Sequence, residues 1–296
     1  MIKNFINELK LEYYEDASLK RYNTYRIDLK CKYLIFPGTV LELSELLKYL
    51  SENQVKYIVL GNGSNVIFSC EYYDGVVILL NKLNHISIKG TTVEVGAGYS
   101  LQKLALDTAS VGLEGLEFAA GIPGLVGASI AMNAGAYLSS LSEVVESVLV
   151  INSDFELVSM KKEELKFGYR SSIFKEEPQY IIVSAVFQLK NGDKEELLDK
   201  IHKRRLKRME TQPLDMPSAG SVFRNPIDMY AGELIEKCGL KGVVVNGAMV
   251  SLKHANFIVN YDGASGKDIV ELIQKIQTKV KEQFGVDLIL EQIIID

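Results

Sequence analysis

The stretch YIVLGNGSN, residues 57–65, joins an apolar, strand-like run directly to a loop of two glycines, one serine and two asparagines. The glycines permit positive φ and carry no Cβ where a bulky anion must approach. Successive backbone N–H groups in such a loop form a nest for phosphate oxygens, with Asn62, Ser64 and Asn65 as side-chain partners. A tight turn capped by serine and asparagine explains the same residues, and this segment alone does not separate the two interpretations.

This loop differs from the usual dinucleotide-binding fingerprint. The pattern GxGxxG is absent, and no acidic residue ends a clear second strand about 20 residues further on. The sequence therefore disfavours a Rossmann domain.

A second glycine-rich segment, GIPGLVGASIAMNAGAY, covers residues 121–137. Its small residues and its proline make a surface on which backbone can lie directly against a flat or charged ligand. Segments rich in glycine and alanine also serve tight helix packing. Two separate glycine-rich surfaces, both carrying asparagine and serine, favour a large cofactor that bears phosphate.

The flanking sequence predicts a mixture of helices and strands without strict βαβ alternation, which favours the α+β class. Residues 35–50 are predicted to form a Pro-Gly turn followed by a helix, and apolar periodicity predicts further helices over 101–110, 194–210, 232–238 and 266–284. Runs of β-branched and aromatic residues predict strands over 56–60, 76–80, 92–95, 148–152, 156–160, 180–189, 255–260 and 288–295.

Composition excludes several classes of protein. The 296 residues carry 33 basic and 38 acidic side chains, a net charge of −5, so we expect no nucleic-acid partner. Because no apolar run reaches the length of a membrane span, we expect no membrane segment. The three cysteines, Cys31, Cys70 and Cys238, are far apart, which predicts a reduced cytoplasmic protein with neither a metal site nor a disulfide framework.

Six motifs occur in one order along the chain: LGNGSN, AGIPGLVGASIAMNAGAY, FGYRSSIF, PSAGSVFRNP, AGELIEKCGLKG and VSLKHANFIVN. In order and spacing they resemble the MurB family of UDP-N-acetylenolpyruvoylglucosamine reductases, from about Thr24 to Glu291. The resemblance implies an α+β fold with an FAD-binding region of the vanillyl-alcohol-oxidase (PCMH) type over 1–200, in subdomains of about 1–75 and 76–200. A C-terminal α+β substrate domain would cover 201–296. The chain looks like the shorter family type, which lacks a tyrosine-loop insertion.

The same resemblance implies non-covalent FAD, NADPH as co-substrate, and a nucleotide-sugar substrate. The implied reaction reduces UDP-N-acetylglucosamine enolpyruvate to UDP-N-acetylmuramate for peptidoglycan synthesis. The implied cofactor-binding residues are Asn62, Gly63, Ser64, Asn65, Gly121, Ile122, Pro123, Gly124, Gly127, Ser129, Asn133, Ala134 and Gly135. Candidates for substrate contact are Tyr137, Tyr169, Gln212, Asn225, Lys253 and His254.

Three residues are similar to the catalytic residues of this family: Arg170, Ser221 and Glu291. A fixed guanidinium offers two parallel N–H donors to a carboxylate, which a lysine does not. A serine hydroxyl is a useful acid only beside a strongly basic carbon within hydrogen-bond reach. Each residue also has a purely structural explanation: a solvated surface arginine, a turn serine and an outward-facing glutamate in an apolar strand.

The chain departs from the family pattern at Leu125, Ala128, Leu138 and Ile293. Two other functions compete with the reductase. One is another FAD-dependent oxidoreductase of the same cofactor fold, which would not need the motifs of the C-terminal third. The other is a nucleotide-sugar-binding protein without redox chemistry. Arg170 and Ser221 argue against that protein, whereas the atypical tail around Glu291 favours it.

Overall fold

Helices and strands are mixed irregularly along residues 2–296, the part of the chain that this computed structural model describes. The helices are α1 (Ile2–Glu8), α2 (Val40–Glu52), α3 (Leu101–Ser110), α4 (Val126–Ala131), α5 (Ile173–Glu176), α6 (Lys194–Thr211), α7 (Ala231–Lys237) and α8 (Gly266–Phe284). The strands are β1 (Glu12–Ser18), β2 (Lys30–Phe36), β3 (Tyr57–Leu60), β4 (Val66–Phe68), β5 (Tyr72–Leu79), β6 (Ile86–Lys89), β7 (Thr92–Gly96), β8 (Leu113–Glu114), β9 (Gly135–Ala136), β10 (Ser139–Ser140), β11 (Val145–Ile151), β12 (Leu157–Lys161), β13 (Ile181–Gln188), β14 (Lys190–Asn191), β15 (Val244–Val245), β16 (Ala248–Val250), β17 (Ile258–Asn260) and β18 (Ile293–Ile295). The predicted α+β class is confirmed.

The chain forms two compact units, and each unit collects separate segments of the sequence. Unit 1 contains the described residues up to Glu15 together with Tyr33–Gly61 and Gly75–Leu206. Unit 2 contains Asp16–Lys32, Asn62–Asp74 and Lys207–Asp296.

Unit 1 contains an antiparallel sheet in the order β12-β11-β13-β7-β6. Alternate residues of β11, such as Val148 and Val150, are buried, as expected for a strand with one face on a core. Strand β3 pairs in parallel with β5, with Tyr57 opposite Val76. That pairing fixes where β3 ends and therefore where the first glycine loop begins.

Unit 2 is organised around α8, whose bounds agree with the prediction from sequence. Ser265 and Asp268 form a capping box at its start, and Gly285 ends it in the left-handed conformation at φ 69°. The apolar face of α8 contacts the three-stranded sheet β15-β16-β17, the helix α7 and the strand β4. Its buried residues include Ile269, Leu272, Ile273, Ile276 and Val280.

Two strand predictions in unit 2 were too long. The strand predicted over 288–295 is limited to β18, which pairs in parallel with β4, because residues 289–292 bond instead to the segment around Phe223. The strand predicted over 255–260 begins only at Ile258, because the preceding residues turn around His254. Among residues 2–296, none of the helices combines the length and the apolarity needed to cross a bilayer.

Candidate active site

The backbone that carries Ser221 lies between two other segments of unit 2. On one side, Val222 N donates to Asn256 O at 2.9 Å, and the Asn256 side chain bonds both polar groups of the Phe223 backbone at 3.0 and 2.8 Å. On the other side, Glu291 N donates to Val222 O at 2.8 Å. Two of the three predicted catalytic residues, Ser221 and Glu291, are therefore held on neighbouring backbone segments.

Gln292, which the sequence did not single out, holds the backbone turn that carries Ser221. Its side-chain amide is 3% exposed, and Nε2 donates to the carbonyl oxygens of Ala219, Gly220 and Ser221 at 3.0, 3.3 and 3.4 Å. Its Oε1 accepts from the Tyr25 hydroxyl at 3.0 Å. Complete burial raises the pKa of Tyr25, so this hydroxyl stays a donor. The only signal in the sequence is a polar residue inside the apolar tail LILEQIIID.

Ser221 lines a cavity of about 550 Å³ within unit 2. Asn225, Lys253 and His254, all predicted to contact substrate, line the same cavity. Gln212 is not among its lining residues, and its buried Oε1 has no hydrogen-bond partner within the described residues. Lining residues that the sequence did not suggest are Glu210, Thr211, Tyr230, Gly232, Glu233, Glu236, Ala255 and Asn256.

His254 is held in one tautomer when neutral. Its Nδ1 accepts from the backbone N–H of Asn256 at 3.2 Å, so the proton of the neutral ring belongs on Nε2. Burial lowers the pKa of His254 below its usual value, which keeps the ring neutral at pH 7. The cavity is therefore lined by a neutral His254 and by Lys253, whose ammonium group donates to Met209 O at 2.6 Å.

Arg170, the third predicted catalytic residue, belongs to unit 1, where its loop is fastened to the second glycine-rich segment. Its Nη2 donates to Gly135 O at 2.8 Å, and its guanidinium lies 5.3 Å from the ring centroid of the exposed Tyr169. The side chain of Asn133 donates to Gly168 O at 2.8 Å, two residues before Arg170. The motifs FGYRSSIF and AMNAGAY, far apart in sequence, thus meet in the fold.

The end of β3 and helix α4 contact each other within unit 1. A Cβ on Gly61 would lie 2.8 Å from the Cβ of Ala128, well inside normal contact distance. Leu125, where the chain departs from the family pattern, is the N-cap residue of helix α4 and supplies no side-chain cap. The methyl group of Ala128, the other departure here, is accommodated because residue 61 has no side chain.

Three of the predicted cofactor residues also hold the chain itself together. In unit 2, Gly63 has φ 61°, and a Cβ there would lie 2.1 Å from Tyr22 O, so only glycine fits. Asn65 Nδ2 donates to Glu291 O at 3.2 Å, which ties the first glycine loop to the segment of the candidate glutamate. Asn133 is used similarly, since its side chain bonds Gly168 O and Ser142 N.

The remaining predicted cofactor residues differ in accessibility. Asn62 and Pro123 are exposed; Ser64, Gly121, Ile122, Ala134 and Gly135 are half-buried; Gly124, Gly127 and Ser129 are buried. Neither glycine-rich segment, 61–65 or 121–135, contains a charged side chain. Amide, hydroxyl and backbone donors without a competing carboxylate fit a ligand that carries phosphate, such as FAD. Which of these residues touch it remains a prediction.

Comparison with known proteins agrees with this arrangement. Residues 31–161 match the model of an FAD-binding domain, and residues 212–295 match that of the UDP-N-acetylenolpyruvoylglucosamine reductase C-terminal domain. Enzymes named UDP-N-acetylenolpyruvoylglucosamine reductase from Bacillus cereus and Carboxydothermus hydrogenoformans are 42% and 45% identical over 278 residues, which cover 94% of this chain and 92% of each relative. The crystal structure of the reductase from Thermus caldophilus has a TM-score of 0.81 and 35% identity, and the match covers 97% of this chain and 99% of that one.

The chain is thus an FAD-binding α+β protein, as the sequence predicted. It belongs to the UDP-N-acetylenolpyruvoylglucosamine reductase family.

The contact between residues 61 and 128 makes a reciprocal test possible. Gly61→Ala should lower the free energy of unfolding by about 1–3 kcal/mol and weaken FAD retention, because two methyl groups would overlap. Gly61→Ala combined with Ala128→Gly should recover both stability and FAD retention. A small loss of stability should remain, because glycine is unfavourable within helix α4. Thermal unfolding and bound-flavin absorbance measure the two effects. A double variant as unstable as Gly61→Ala would show that the methyl group of Ala128 is not the cause.

The role of Gln292 is open to a direct test. Gln292→Leu should lower the free energy of unfolding by about 2 kcal/mol or more, because the carbonyls of the Ser221 turn and the Tyr25 hydroxyl lose their buried partner. Tyr25→Phe should cost about 1 kcal/mol. Gln274→Leu, at an exposed glutamine of α8, serves as the control. Equal urea midpoints for all three variants would contradict this role.

Proposed function

We propose that this chain reduces the enolpyruvyl group of UDP-N-acetylglucosamine enolpyruvate, giving UDP-N-acetylmuramate, with NADPH as reductant. Membership of the reductase family and the match to an FAD-binding domain support this reaction. The structural observation that carries it is the turn of Ser221, which is held by Asn256 on one side and by Gln292 on the other and which lines the 550 Å³ cavity. Bound FAD supplies hydride transfer from NADPH to the vinyl carbon of the substrate.

In this proposal Ser221 is the proton donor. As hydride reaches the vinyl carbon, negative charge develops on the neighbouring carbon, and the hydroxyl of Ser221 protonates that carbon. A serine can do this only if its position is fixed, because its acidity in water is low. The three backbone carbonyls held by Gln292 and the paired backbone of Val222 fix that position.

Arg170 and Glu291 stabilise the developing charge. The guanidinium of Arg170 offers paired N–H donors to the substrate carboxylate, and its bond to Gly135 O orients it before substrate arrives. Such a preorganised donor contributes a factor of about 10² to 10³ in rate. Glu291, if protonated, donates to the same group; its backbone is held by Val222 and Asn65.

The substrate contacts belong to the same proposal. Asn225, Lys253 and His254, which share the cavity with Ser221, are suited to the anionic and polar parts of a nucleotide sugar. Tyr137, Tyr169 and Gln212 are proposed as further contacts. We also propose residues 1–200 as the cofactor region, residues 201–296 as the substrate region, and a cytoplasmic location, the last from the three separated cysteines.

Separate measurement of the two half-reactions tests the role of Ser221. In Ser221→Ala, NADPH should reduce the flavin at the normal rate, whereas reoxidation by the enolpyruvyl sugar should slow by about 10² to 10⁴, because the proton donor is missing. Stopped-flow absorbance of the flavin follows both steps.

Ser218→Ala, on the same turn, is the matched control and should leave both rates unchanged. A Ser221→Ala variant in which both half-reactions slow equally would show that Ser221 is structural. Full binding of the sugar without any flavin reoxidation in the unmodified chain would favour the nucleotide-sugar-binding protein instead.

A further inference from the structure

The hairpin formed by β9 and β10 has a strained tip. Ala136 pairs with Ser139, so Tyr137 and Leu138 form a two-residue turn, with φ values of 56° and 66°. Positive φ at both positions is the signature of a type I′ turn, which favours glycine at the second position. Leu138 instead carries a Cβ in the left-handed region, and its side chain is fully exposed.

Helix α6 holds the tip from outside the turn. The guanidinium of Arg204 lies 4.6 Å from the ring centroid of Tyr137, and the Tyr137 hydroxyl donates to Arg204 O at 3.3 Å. A cavity of about 260 Å³, lined by Ser139, Lys200 and Arg204 among others, lies beside this contact. The contact between Arg204 and Tyr137 connects the hairpin to the helix at the edge of this cavity.

Helix α6 is itself anchored one turn earlier. Lys200, four residues before Arg204 and on the same face, pairs at 2.8 Å with the buried carboxylate of Glu117. Leu197 and Ile201 are buried in an apolar cluster with Ala109 of α3. Arg204 therefore projects from a fixed helix.

The base of the hairpin contacts the candidate catalytic arginine, Arg170. Gly135, the first residue of β9, supplies the carbonyl that accepts from Arg170 Nη2 at 2.8 Å. Asn133, two residues earlier, bonds Gly168 and so holds the loop of Arg170. A shift of the hairpin would move both of these contacts.

We propose that Arg204 is a positioning residue for Arg170: it clamps Tyr137 at the tip of a strained hairpin whose base orients the guanidinium of Arg170. Residues outside the catalytic set thereby determine how that guanidinium is aimed. This inference rests on the proposed function for its kinetic consequence but not for its structural one. Strained backbone persists only where surrounding contacts hold it, and the Arg204 contact is that support.

Kinetics of the flavin-loaded protein test the proposal. Arg204→Ala should slow flavin reoxidation by UDP-N-acetylglucosamine enolpyruvate about 10- to 100-fold, because small misplacements of an orienting group have effects of this size. Reduction by NADPH should be unchanged. Arg204→Lys should recover part of the rate, since a cation over the ring is kept. The neighbouring Arg205→Ala, on an exposed residue of the same helix, is the control.

Two double variants separate positioning from general stability. In an Arg170→Ala background, Arg204→Ala should change the rate by no more than about twofold, because coupled residues are not additive. Adding Leu138→Gly to Arg204→Ala should restore part of the rate, since glycine suits this turn without external support. Fully additive losses, or no recovery with glycine, would overturn the proposal.

Hydrogen–deuterium exchange gives a readout that does not depend on activity. In Arg204→Ala, exchange should quicken both in the hairpin, residues 135–141, and at the amides of Gly168 and Ser171, which bond each other's carbonyls. Arg205→Ala should change neither region. A hairpin that loosens while Gly168 and Ser171 keep their protection would overturn the proposal, even if the chain proved inactive toward the enolpyruvyl sugar.

Discussion

The geometry around Ser221 depends on one buried amide. Gln292 has two N–H hydrogens and shares them among three carbonyl oxygens of a turn, while its own oxygen accepts from the Tyr25 hydroxyl. A buried amide is tolerated only when its hydrogen bonds are made, so the turn and the amide specify each other. The pairing of Glu291 with Val222 follows from the same register, because Glu291 and Gln292 are consecutive. The positions of the Ser221 turn and of the candidate glutamate, Glu291, thus depend on the same hydrogen bonds.

Local patterns in the sequence predicted a large part of this fold. Helix α8 was found with its observed bounds, because Ser265 at its start and Gly285 at its end are strong local signals around a clear apolar period. Strands β1, β2 and β4 were not predicted, since β1 is mostly exposed, β2 lacks a regular alternation of buried and exposed residues, and β4 has only three residues. The tail after Leu288 was predicted as one strand, because no local pattern shows that its middle residues bond to the backbone around Val222.

The candidate site was predictable as a set of residues but not as a set of contacts. Motif order brought Ser221, Lys253 and His254 to attention, and the structure places them around one cavity. Motif order does not reveal that Asn65 and Asn133 bond other loops of the chain, because an asparagine in a glycine-rich segment can bond a ligand or a loop equally well. The departures from the family pattern were visible in the sequence, but their structural consequences were not. Ala128 is explained only by the glycine that faces it, residue 61.

The bond between Asn65 and Glu291 joins residues 226 positions apart, and the Tyr25–Gln292 bond joins residues 267 apart. During synthesis on the ribosome, which proceeds from the N-terminus, the partners of Tyr25 and Asn65 do not yet exist while most of unit 1 is already available to fold. At 5–20 residues per second, as is typical of translation, those two segments wait for roughly 10 to 50 seconds. The contacts that join these distant segments of unit 2 therefore form late. Until then, apolar residues of its early segments, such as Phe68, lack their final neighbours.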